Sequence, residues 1–121
     1  MNAPAKLLYV FERGPYSSLA GLEALDAAFI GASFEQCVSV LFMADGVFQL
    51  KSGQSVGGTS LKQHSKMFKA LADFDVENVY VHDLSMVARG LTPSSLMIEA
   101  QELDSPAIAS LINQQDKVFT F

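Results

Sequence analysis

The residues best suited to chemistry lie in NVYVHDLSMVARG, residues 78–90. A β-branched apolar run ends there in His82 and Asp83, and Ser85 follows. An imidazole exchanges protons near neutral pH, a carboxylate can orient it, and a hydroxyl so served becomes a nucleophile. The ends of parallel strands are also where open α/β sheets place ligands and reactive groups. Adjacent side chains at a strand end point in different directions, however, so Asp83 is better read as the cap of a short helix. A triad is defined by geometry that spacing does not supply, and His82 as acid or base with Ser85 nearby stands as one expectation beside a structural one.

The other chemical candidates read more blandly. Gly53 and Gly58 have the spacing of a phosphate loop, but Thr59 occupies the lysine position and a mobile Gly/Ser-rich surface loop is expected instead. ERGPYSS (12–18) follows an apolar run and precedes a helical pattern, so its amides are placed to hold an anion or to form a capped turn; Pro15 and the single glycine favour the turn. Cys37, the only cysteine, begins an apolar run and reads as a small buried hydrophobe. His64 sits between charged neighbours as a surface or boundary residue, and with His82 makes only two histidines, which gives no zinc pattern. A receiver domain needs an acidic cluster and an acceptor aspartate where Phe11-Glu12 and His82 stand, so magnesium-dependent phosphoryl transfer is excluded. Neither cofactor nor metal is expected.

The whole chain bounds these possibilities. Its 121 residues suit one domain, 1–121, with a core that needs no disulfide. Half the residues are hydrophobic and 17% are charged, an apolar excess that predicts burial against partners or, in isolation, self-association. A formal net charge of −5 repels phosphate backbones, so direct nucleic-acid binding is disfavoured. The start MNAPAKLLYVF lacks the pattern of a signal peptide, no apolar run reaches membrane-spanning length, and the lone cysteine suits a reducing cytoplasm.

Five apolar runs recur as expected strands: 7–11, 37–43, 78–82, 96–100 and 117–121. They are near-continuously apolar, as strands covered on both faces are. Helical spacing fills the intervals. One helix is predicted from Ser17 or Ser18 to Gly31, a second from about Ser60 with Leu61, Met67, Phe68 and Leu71 inward, and a short third from His82 to Gly90. A fourth begins at Ser105 with Pro106 in its first turn and buries Ile108, Leu111 and Ile112. This alternation predicts a flavodoxin-like three-layer α/β/α sandwich around a five-stranded, mainly parallel sheet.

The run FMADGVFQL (42–50), with LAGLEALDAAF before it and FKALADFDVENVYV after it, resembles the DsrE/DsrF-like family, and the resemblance runs from KLLYVF (6–11) through ARGL (88–91) to KVFTF (117–121). It implies a cytoplasmic sulfur-relay complex in which homologous B-, C- and D-type subunits form a heterohexamer. Such a complex passes persulfide sulfur toward 2-thiolation of the tRNA wobble uridine, or serves sulfur oxidation. The D-type carrier is a cysteine at a strand end; the matching residue here is His82, with Arg89-Gly90 matching the end of that motif. Imidazole forms no persulfide, so the resemblance implies a noncatalytic subunit that assembles with TusB-like and TusD-like partners. Its interface is expected in ADGVFQL: Asp45-Gly46 turns the chain, and Val47, Phe48 and Leu50 follow beyond a strand end, either to meet a partner or to fold back onto the core.

Overall fold

A computed structural model of the chain describes residues 5–12, 37–50, 78–96 and 98–121. The two longer expected helices, most of the ERGPYSS turn, the Gly53–Gly58 loop and His64 lie outside these residues. Five strands are described: β1 (Lys6–Phe11), β2 (Cys37–Phe42), β3 (Asn78–His82), β4 (Gln101–Leu103) and β5 (Lys117–Thr120). They form one sheet in the order β4-β3-β2-β1-β5, and every neighbouring pair is parallel. All strand C-termini therefore open on the same rim.

The near-continuous apolar runs of β1 and β2 are explained by burial on both faces. In β1, Leu7, Tyr9 and Phe11 join Val38, Val40, Phe42 and Val81 on one side, while Leu8 and Val10 join Leu41 and Ile108 on the other. Register sets Phe11 opposite Phe42, and their rings stack with centroids 4.9 Å apart. Each such side chain taken fully from water stabilises the fold by about 1.5–3 kcal/mol.

Two helices are described besides 3-10 turns: α1 (Asp83–Ala88) and α2 (Ser105–Asn113). α1 starts directly on the end of β3 and stops in a Schellman turn. There the Leu91 amide donates to the Met86 carbonyl, the Gly90 amide donates to the Val87 carbonyl, and Gly90 takes φ +68°. Buried Leu91 and Met86 supply the hydrophobic contact that accompanies this turn. α2 is capped by Asp104, whose Oδ1 accepts the Ala107 amide at 2.9 Å, and it carries the chain from the β4 edge to the β5 edge.

Several expectations require correction. The fourth strand is Gln101–Leu103, not 96–100; Pro93–Ser95 form a 3-10 turn, after which Leu96, Ile98 and Ala100 pack against the core outside that strand. An edge strand is held through its backbone, so polar Gln101 and Glu102 serve there. Cys37 is exposed, because it begins β2 at the N-terminal rim, in register with exposed Lys6. In α2, Ile108 is buried and Leu111 half-buried, but Ile112 faces outward. β5 is an edge strand with all four residues exposed, not a buried one.

Candidate functional site

The strand-end rim gathers the residues singled out for chemistry. β2 runs through Met43 into a 3-10 helix, Ala44–Leu50, whose path depends on Gly46. A Cβ on Gly46 would sit 1.8 Å from the Phe11 carbonyl oxygen, so only glycine lets this turn press against the end of β1. Val47 and Leu50 are fully buried and Phe48 packs partly against the same cluster. Val47 and Leu50 fold back into the core, one of the two alternatives that the sequence leaves open for this block, because the 3-10 helix turns them under the sheet end. Asp45 remains exposed and pairs with Arg89 at 3.0 Å, and Arg89 also donates to the Ser85 carbonyl at 3.2 Å.

His82 stands at the N-cap of α1 in extended conformation. Its Nδ1 lies 2.7 Å from Ser85 Oγ, and its Nε2 lies 3.0 Å from Ser105 Oγ at the start of α2. Ser85 Oγ in turn accepts the amide of Ala44 at 2.9 Å. The neutral ring satisfies both contacts in either tautomer, since each hydroxyl both donates and accepts. His82 thereby ties together the segments that follow β2, β3 and β4.

This geometry differs from that of an activated nucleophile. Asp83 Oδ1 accepts the Leu84 amide at 2.6 Å and stands 3.9 Å from His82 Nε2, so the carboxylate serves the helix start and does not hold the imidazole as a triad carboxylate would. Ser85 is buried, and its oxygen is occupied by the Ala44 amide. His82 and Ser85 are brought together as expected for a working pair, but as a bracket between chain segments. Sequence reasoning missed two members of that bracket, Ala44 and Ser105. Asp104-Ser105-Pro106 carries a helix-start signal; the missing information was that β3 and β4 are neighbours, which brings Ser105 beside His82.

The class that these features define is an α/β fold with an all-parallel five-stranded sheet, in which the imidazole at the end of β3 is held between two hydroxyls. The DsrE/DsrF-like family model matches residues 5–121, and the chain belongs to that family. The intracellular sulfur oxidation protein DsrF of Allochromatium vinosum is 37% identical over 96% of this chain and 96% of its own. A TusC homolog of Vibrio vulnificus is 32% identical over 97% of this chain and 99% of its own. The crystal structure of the YchN protein from E. coli shares the fold, with a TM-score of 0.79 at 23% identity over 97% of this chain and 99% of that one. Among the described residues no helix is long and apolar enough to cross a membrane.

Proposed function

We propose that this chain is a noncatalytic, TusC/DsrF-like subunit of a cytoplasmic sulfur-relay complex, assembled with TusB-like and TusD-like subunits as a heterohexamer. In that complex it supports persulfide transfer for 2-thiolation of the tRNA wobble uridine while the carrier thiol resides on a partner. The observation that carries this reading is the state of His82. The residue that the resemblance sets at the family's carrier position is an imidazole held on both nitrogens by Ser85 and Ser105, and Cys37 stands at the opposite end of the sheet. Sulfur transfer requires a thiolate, which this rim does not supply among its described residues. Co-expression with TusB-like and TusD-like subunits from the same genome tests the reading: a stable mixed complex is expected, and recovery of the chain only as a separate species overturns it.

The 37% identity to a protein named for intracellular sulfur oxidation favours a second reading, a DsrF-like role in that process. Deleting the gene separates the two. Loss of 2-thiouridine supports the tRNA pathway, whereas loss of growth on reduced sulfur with normal tRNA thiolation supports the other.

A further inference from the structure

The hydroxyl that His82 leaves open to solvent is that of Ser105. Ser85, on the other nitrogen, is buried and its oxygen already accepts the Ala44 amide. Ser105 is exposed, and its Oγ lies 3.0 Å from Nε2 of a ring whose side chain is only 14% exposed. An accessible hydroxyl, a base within hydrogen-bond reach and a third group that fixes the base are the parts of an activated nucleophile. Here the third group is Ser85, 2.7 Å from Nδ1 and itself tied to the segment that follows β2.

The start of α2 adds a donor for developing negative charge. The first amides of a helix have no intrahelical acceptor. Asp104 accepts the Ala107 amide through its side chain and the Ile108 amide through its carbonyl, and Pro106 has no amide proton to give. The Ser105 amide is left without an acceptor among the described residues. It stands beside the Ser105 hydroxyl, where it can hold a carbonyl oxygen that becomes an oxyanion. Asp83 Oδ1, 3.9 Å from Nε2, is too far to hold the ring but offsets the positive charge the ring gains during attack. Asp83 and Asp104, immediately next to His82 and Ser105 in the chain, oppose an acyl group that carries negative charge.

We infer that Ser105 is a nucleophile toward small uncharged acyl esters, with His82 as its base. In the active tautomer Nδ1 donates its proton to Ser85 Oγ, and Nε2 accepts the Ser105 hydroxyl. Ser105 Oγ bonds to the carbonyl carbon as its proton passes to Nε2, and the carbonyl π pair moves onto the oxygen beside the Ser105 amide. When that pair returns, the bond to the leaving oxygen breaks, and that oxygen takes the proton from Nε2. Water, giving a proton to the same nitrogen, then attacks the acyl-serine; the Ser105 oxygen leaves, recovers that proton, and the carboxylic acid departs. This activity is separate from sulfur transfer and does not depend on the reading of the chain as a complex subunit.

The test uses the full chain with p-nitrophenyl acetate, in a Cys37→Ser background so that the exposed thiol does not compete. Acetylation is followed at each site by peptide mass mapping, and far-UV circular dichroism checks that each variant folds. The expected result is an acetyl group on Ser105, no loss of it in S110A, an exposed serine of the same helix that meets Gln114 instead, and release of p-nitrophenolate that falls in S105A. H82N keeps a residue type favoured at a helix start but takes up no proton, so acetylation of Ser105 should be at least about tenfold slower. An unmodified Ser105 in the wild-type background overturns the nucleophile, and acetylation at the wild-type rate in folded H82N overturns the base. If H82N does not fold, the pH dependence decides. A rate at Ser105 that rises along a single ionisation in the range of imidazoles supports the assignment, and one that climbs in proportion to hydroxide overturns it.

Discussion

Ser85 Oγ, in the first turn of α1, lies 2.7 Å from Nδ1 of His82 at the N-cap, and the same oxygen accepts the amide of Ala44 across the rim. Ala44 has φ +50°, a left-handed conformation that a non-glycine residue adopts at a cost of about 1–2 kcal/mol. The bond to Ser85 satisfies the amide that this conformation directs toward α1. The pair that looks chemical in sequence is therefore the joint between two segments of the rim.

Ser85→Ala leaves the half-buried Ala44 amide without its acceptor. A loss of about 1–3 kcal/mol in unfolding free energy is expected from urea titration. An unchanged midpoint would show that the bond does not hold the joint.

Two glycines separate steric from conformational need. Gly46→Ala drives a Cβ into the Phe11 carbonyl and is expected to prevent accumulation of folded protein or to lower its melting temperature severely. Gly90→Ala meets nothing within 4 Å and strains only the φ of +68°, a loss of about 1 kcal/mol. Thermal melts of the two variants should rank in that order.

Tyr9 links the sheet to an aromatic stack, with ring centroids 5.2 Å from Phe119 and 6.2 Å from Phe121. Burial pushes its phenol above the ordinary value of about 10. A pKa raised on folding means that this contribution is fully present below the unfolded value and is lost as pH climbs through the folded one. Denaturant unfolding at about pH 9 and about pH 11 should show an alkaline decline that is shallower in Tyr9→Phe. An identical decline in both proteins would assign it to other groups.

Cys37 is exposed at the rim opposite His82. Cys37→Ser should leave sulfur transfer by the assembled complex unchanged, read as the rate at which labelled sulfur reaches the final acceptor. A tenfold drop would make this thiol part of the relay.

Much of the fold is legible in the residues because its causes are local. Apolar runs at 7–11 and 38–42 give buried strands, the run at 78–82 gives a strand buried at Val81, and Gly90 and Asp104-Ser105-Pro106 mark where helices stop and start. What fails depends on neighbours. The run at 96–100 is as apolar as a strand, yet the pairing falls on 101–103, since edge pairing is decided by the reach of the chain after the Pro93 turn. The inward fold of Val47 and Leu50 follows from how closely Gly46 meets Phe11, a contact between segments far apart in sequence. The lock on His82 depends on the strand order that sets Ser105 beside it, which spacing along the chain does not carry.

The most direct test of the noncarrier role is sulfur loading of the reconstituted complex. A cysteine desulfurase and 35S-cysteine are supplied, and the subunits are resolved without reductant. The label is expected on the TusD-like partner and absent from this chain, in wild type and Cys37→Ser alike. Thiol-sensitive label on this chain that disappears in Cys37→Ser would contradict the noncarrier role and make the chain a sulfur carrier through the far end of its sheet.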